Sequence, residues 1–184
     1  MRRIAGKTPI IGIAGWKKSG KTTLVTRLIT ELSSRGLKVA TVKHAHHDFQ
    51  VDARETDSAR HRRAGAAQVA IVSSKRWALV NELHDAPEPA LEEVISWLGP
   101  CDLIIVEGYK RAPIPKIEVR RTEAASQRPL ADTDPHVIAL AADYAVEGGG
   151  LPVFALDDVV AIADFIAGAA GLPTPDRAPP RPRG

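Results

Sequence analysis

Gly15-Trp16-Lys17-Lys18-Ser19-Gly20-Lys21-Thr22 has the spacing Gly-x-x-x-x-Gly-Lys-Thr. Glycine at 15 and 20 lets the backbone curl where a Cβ would obstruct the turn. A backbone curled in this way aims several N–H groups inward, and a helix that starts directly after it adds its positive end. The loop is therefore shaped for an anion. Lys21 reaches the β- and γ-phosphates of a nucleotide, and the Thr22 hydroxyl offers magnesium the hard oxygen it prefers. Lys17 and Lys18 raise the positive potential, and Ser19 and Thr23 complete the candidate phosphate-binding set Gly15 to Thr23. Trp16 has three readings: a shield over the phosphates, a residue at a protein interface, or packing.

The flanks separate this motif from a chance Gly/Lys-rich turn. Pro9-Ile10-Ile11-Gly12-Ile13-Ala14 precedes it, a short apolar run without alternation, as in a strand buried on both faces. Lys21 to Arg35 follows, with Leu24, Val25, Leu28, Ile29 and Leu32 on one helical face and Gly36 as the stop. Further on, strands are expected at Leu37 to Val42, Gln68 to Val72, Trp77 to Asn81, Leu103 to Val106, Ile117 to Val119, Val137 to Ala139 and Pro152 to Leu156. Helices are expected at Asp57 to Ala64, Ala90 to Leu98 and Val159 to Ala169. Gln68 to Asn81 has the form of a hairpin around Ser73-Ser74-Lys75. Buried strands alternating with amphipathic helices predict an α/β fold of the P-loop NTPase type, a mainly parallel sheet flanked by helices. One P-loop nucleotide-binding domain is expected over 1–170. The stretch 171–184, with five prolines and few apolar residues, is expected to be a disordered Pro/Arg-rich tail.

A chain of 184 residues, 44% of them hydrophobic, can bury a continuous core. Cys101 is the single cysteine, which excludes an internal disulfide and a Cys-cluster zinc site. The formal charge of +3 lies largely in the tail, where Arg177, Arg181 and Arg183 face only Asp176. The nearly neutral remainder implies no nucleic-acid footprint. No signal peptide and no bilayer-spanning run is present, so a soluble, cytoplasmic protein without a membrane partner is expected.

Leu103-Ile104-Ile105-Val106-Glu107 supplies what a phosphate loop needs beside it: an apolar strand with a carboxylate at its C-terminal end, the edge where ligands sit in open α/β sheets. Glu107 is the candidate magnesium-side acid with Thr22, acting through a water, against the alternative of a solvated strand-end glutamate. Lys43-His44-Ala45-His46-His47-Asp48 follows the second strand. Its histidines suit a metal, a phosphate, a second substrate or a partner. Asp48 and Asp52 are candidates to approach magnesium or position a water, against the alternative that they solubilise a loop. Arg60-His61-Arg62-Arg63 reads as a solvated basic face. The guanine-reading pattern Asn-Lys-x-Asp is absent. Asp143, closing Ile138 to Ala142, can accept from guanine N1 and N2, where adenine has no donors, or is a turn residue. Lys110, Arg111, Lys116, Arg120 and Arg121 form a basic set that would suit an anionic pterin phosphate.

Four of these stretches, in the same order, resemble the molybdopterin-guanine dinucleotide biosynthesis protein B (MobB) family. They are Gly15 to Thr23, Lys43-His44-x-His46-His47 with Asp52, Asp57-Ser58 to Ala64-Gly65-Ala66, and Val106-Glu107-Gly108-Tyr109-Lys110 running on to Pro115-Lys116-Ile117-Glu118. The resemblance covers most of residues 9 to 120. It implies a homodimeric protein that binds GTP with magnesium, through Gly15 to Thr23 and Glu107, with weak GTPase activity at most. It implies an adaptor role toward the molybdenum cofactor guanylyltransferase, which joins GMP to molybdopterin, with molybdopterin or its guanine dinucleotide as second ligand. Trp16 stands where related dimerising ATPases carry an extra lysine, so no lysine reaching across a dimer is expected from that position. Two other readings remain at this stage. A small-molecule kinase would use Asp48 as base beside Glu107. A metallochaperone GTPase would hold its metal through His44, His46 and His47.

Overall fold

The computed structural model describes residues 8–45, 49 and 56–173. Strand β1 (Ile10–Ala14) is buried at every position. It has a parallel strand on each side, β5 (Leu103–Glu107) and β6 (Lys116–Arg120). The sheet is completed by β2 (Val39–Lys43), β7 (Val137–Ala142) and β8 (Val153–Ala155), in the order β2-β5-β1-β6-β7-β8, with every neighbouring pair parallel. This is the P-loop NTPase-type fold expected from the strand–loop–helix reading. The apolar runs lack alternation because both sheet faces are covered.

Successive strand residues feed opposite cores. Ile11, Ile13, Leu103, Ile105, Ile117 and Val119 pack with Leu24, Leu28 and Leu32 of helix α1 (Lys21–Ser34) and with Ile162 and Ile166 of the last helix, Val159–Ala170. Ile10, Val42, Ile104 and Val106 pack on the other side with Leu91, Ile95 and Ile114. Each wholly buried leucine of α1 contributes about 2 kcal/mol of apolar burial. The helix ends in a Schellman arrangement, with Gly36 N–H donating to Ser33 O (3.0 Å) and Leu37 N–H to Leu32 O (3.2 Å).

Contacts divide the chain into two units, Met1–His44 with Leu91–Gly184, and Ala45–Ala90. The first holds the six-stranded sheet, α1, helix α3 (Leu91–Ser96) and helix α4 (Val159–Ala170). The second holds helix α2 (Asp57–Arg63), capped by Thr56, and an antiparallel hairpin of β3 (Gln68–Val72) and β4 (Trp77–Asn81). Within it, Arg62 bonds Glu82 at 3.0 Å, and Val72, Trp77 and Leu79 are exposed. Helix α4 stops at Ala170 with a left-handed Gly171; from residue 174 the Pro/Arg-rich tail lies outside the described residues.

Candidate functional site

The C-terminal end of β1 turns into the phosphate loop, and two glycines fix its path. A Cβ at Gly15 would stand 2.5 Å from Ser19 Oγ and 2.5 Å from Val119 O, which no side chain tolerates. Gly20 takes a φ of 86°, a left-handed value, at the N-cap of α1. No side chain caps this helix and no acid lies in its first turn. The N–H groups at its start are thus left for a ligand. Ser19 N–H closes the turn on Trp16 O at 3.1 Å, and Ser19 is itself buried. Lys17 and Lys18 are exposed on the loop.

Lys21 folds back along the loop, with Nζ donating to Trp16 O at 2.7 Å and lying 3.5 Å from Ser19 Oγ. Burial, and then the Lys110 ammonium nearby, depress its amine below the ordinary lysine range; Glu107 acts in the opposite sense. Glu107 emerges from β5 beside the loop and is 8% exposed. The Thr22 hydroxyl donates to its Oε1 at 2.6 Å. Lys43, paired with Glu107 in the β2–β5 register, places Nζ 3.6 Å from the same oxygen and 3.5 Å from Thr22 Oγ1. Two hard oxygens in contact, with a cation standing against both, are a donor set that fits magnesium, which completes its shell with water and phosphate oxygen.

An open cleft of about 480 Å³ runs along the loop, lined by Lys18, Gly20, Lys21, Thr22, Thr23, Arg121 and Glu123. At its β7 side, Asp143 Oδ1 accepts from Thr122 N–H (2.9 Å) and Thr122 Oγ1 (3.2 Å), and Oδ2 lies 3.5 Å from Arg121 Nε. Trp16 sits half-buried, donating Nε1–H to Arg128 O at 2.6 Å, with the Lys110 ammonium 4.1 Å from its ring centre. Ala125 N–H donates to Lys17 O at 2.8 Å, so the β6–β7 connection is laid against the phosphate loop at two points.

Other expectations fare differently. Asp48, His46, His47 and Asp52 lie outside the described residues. His44 is described: its N–H donates to Glu107 O (2.9 Å) and its ring lies 4.9 Å from that of Tyr109. Among the described residues no group of three or more His, Cys, Asp or Glu side chains could hold a metal. The basic set read as a pterin phosphate site does not stand as a set. Lys116 is 1% exposed and its ammonium pairs with Asp134, and Arg120 is bound to the buried Glu118 at 2.9 Å. Strand β6 lies inside the sheet, so these charges point into protein and are neutralised there. Sequence reasoning left Lys43 without a role and gave Arg121 to another ligand. The signal that finds both is common: a basic residue at or just past a parallel strand's C-terminal end.

The family model for molybdopterin guanine dinucleotide synthesis protein B matches residues 10–143, from the start of β1 to the aspartate that closes β7. The chain belongs to this family. It is 41% identical over 169 residues to the molybdopterin-guanine dinucleotide biosynthesis adapter protein of Escherichia coli, covering 89% of this chain and 95% of that one. It is 38% identical over 161 residues to the adapter protein of Haemophilus influenzae, covering 86% and 87%. Among solved structures it is similar to that of Bacillus subtilis MobB, with a TM-score of 0.69, 27% identity and coverage of 87% and 96%. A crystal structure of molybdopterin-guanine biosynthesis protein B gives a TM-score of 0.67 at 29% identity, covering 87% and 99%. The range shared with the MobB family contains the phosphate loop, Thr22, Lys43, Glu107 and Asp143.

Proposed function

We propose that this chain is a GTP-binding adapter in molybdopterin guanine dinucleotide biosynthesis, acting as a homodimer beside the guanylyltransferase that joins GMP to molybdopterin. The observation that carries the nucleotide part is the 2.6 Å contact between Thr22 and Glu107 at the foot of an uncapped helix start. It supports a magnesium role for these two oxygens, which lie at the start of the helix that follows the phosphate loop. Gly15 to Thr23 would hold the phosphates, and Thr22 with Glu107 would hold magnesium, which would neutralise charge between the β- and γ-phosphates. Asp143 would accept from the guanine edge through Oδ2, since Thr122 takes both acceptor positions of Oδ1. The adapter part follows from the names of the E. coli and H. influenzae relatives. Hydrolysis is expected to be weak at most, as the resemblance to the MobB family implies.

Calorimetric titration with GTP and with ATP, each with and without magnesium, tests this reading. Magnesium-linked GTP binding with little ATP binding supports it, and Asp143→Asn should then lower GTP affinity by about 10-fold while sparing ATP. Preference for ATP in the wild type would overturn it. The metal role is tested separately. Glu107→Gln keeps the hydrogen bond to Thr22 within reach but removes the charge, so affinity in magnesium should fall by about 10-fold and magnesium-free affinity should hold. Equal losses in both conditions would remove Glu107 from the metal site.

A further inference from the structure

Among the described residues, the ammonium groups of Lys21, Lys43 and Lys110 gather around a loop that itself carries Lys17 and Lys18. Lys21 lies along the loop, Lys43 stands at the end of β2, and Lys110 rests on the Trp16 ring. Glu107 is already engaged by Thr22 and approached by Lys43. Among the described residues neither Lys21 nor Lys110 has a carboxylate partner; Lys21 bonds only a carbonyl and a hydroxyl. Like charges brought together raise each other's energy, and a free lysine would swing away into water.

The Lys110 ammonium instead rests on an aromatic ring, and the backbone of residue 110 is fixed at both its N–H and its carbonyl. Its ammonium lies 4.1 Å from the centre of the Trp16 ring, which is fixed by the bond to Arg128 O. Its N–H turns back to Gly108 O at 2.8 Å. Its carbonyl accepts from Lys116 Nζ at 3.0 Å, and Lys116 is locked in the interior by Asp134. Residue 16 thus carries both cations, Lys21 on its carbonyl and Lys110 on its ring. Lys110 follows three residues after Glu107, which touches Thr22, whereas Arg121 pairs with Asp143 at the end of β7.

We propose that Lys110, positioned by Trp16, reads the terminal phosphate and lets the site tell a nucleoside triphosphate from a diphosphate. This rests on the nucleotide-binding reading and extends it. The surplus of positive charge suits the longer polyanion: the helix start serves the phosphates common to both, Lys21 spans the β- and γ-positions, and Lys110 adds a cation for the phosphate that differs.

The test is calorimetry of the full chain in magnesium with GTP, GDP, tripolyphosphate and pyrophosphate, on wild type, Lys110→Met and Lys110→Arg. Lys110→Met should lose about 10-fold for GTP and for tripolyphosphate, and less than about 2-fold for GDP and pyrophosphate. Lys110→Arg should keep most of the wild-type discrimination. The buried Lys116 binds the backbone of residue 110, not its side chain, so the methionine variant should melt with the wild type. Equal losses for triphosphate and diphosphate, or no loss, would overturn the role of Lys110 while leaving the phosphate loop assignment in place. A wild-type protein that binds neither nucleotide would overturn the parent reading and this one with it.

Discussion

Lys21→Ala is expected to weaken triphosphate binding by about 100-fold or more without unfolding the protein. A lysine ammonium donating two charge-assisted hydrogen bonds to phosphate contributes about 3 kcal/mol, which is about 100-fold in affinity. The fold has little at stake, because among the described residues Nζ hydrogen-bonds only Trp16 O and Ser19 Oγ, and alanine is the strongest helix former. Calorimetry paired with a thermal melt reads both quantities; unchanged affinity in a folded variant would remove the loop from nucleotide binding. The pH profile carries a second check. Burial and Lys110 depress the Lys21 amine, so wild-type affinity should begin to fall on the alkaline side below the range where an ordinary lysine deprotonates. In Lys21→Ala the onset of that fall should move to higher pH.

The largest effect on stability should come from Asp134→Ala. It leaves the Lys116 ammonium, 1% exposed, with the Lys110 carbonyl as its one remaining partner among the described residues. Breaking a buried pair from one side costs about 3–5 kcal/mol, whereas removing both charges costs far less. Asp134→Ala with Lys116→Met should therefore recover most of the loss, and a single variant no weaker than the double would show that the pair is not effectively buried. Burial on its own would raise the Asp134 carboxyl. Hydrogen bonds from Lys116 and from the His136 backbone and ring outweigh it and hold the group below the ordinary aspartate range. The folded value lies below the unfolded one, so this stabilisation is complete above about pH 4 and is lost as pH falls through the folded value. Denaturant unfolding of wild type and variant from neutral pH downward should show their difference shrinking only at the acid end.

The same strand shows where a sequence stops being readable. Ile10–Ala14 and Leu103–Glu107 announce themselves because both faces of a central parallel strand demand apolar residues. The acid that ends the second run follows from the edge where such sheets bind ligands. The hairpin at Gln68 to Asn81 and the start of α4 were equally visible from alternation and spacing. Lys116–Arg120 is as central as either apolar run, yet three of its five residues are charged. Its compensation comes from Asp134 and from the N–H groups of Leu130 and Ala131, which bond Glu118 at 2.8 and 3.0 Å. Those partners lie in an irregular connection, and no periodicity ties them to the strand. Strand order was hidden for the same reason, since parallel neighbours may stand far apart in the chain. Trp16 kept three readings from sequence because its contacts, Lys110 and Arg128, become neighbours only in the folded sheet.

The parallel order β2-β5-β1-β6-β7-β8 has a consequence for the birth of the protein on the ribosome. Strand β1 has β5 and β6 for neighbours, and β2 has β5 alone among the described strands. Everything up to the end of α3 is therefore synthesised before any two strands of the large sheet can pair. At about 5–20 residues per second, the apolar segment of β1 waits about 5–20 seconds for Leu103–Glu107 to follow. During that interval the nascent chain carries two unpaired hydrophobic segments and must be kept from aggregating. When β5 arrives it inserts between them, and the same closure that forms the sheet delivers Glu107 to Thr22.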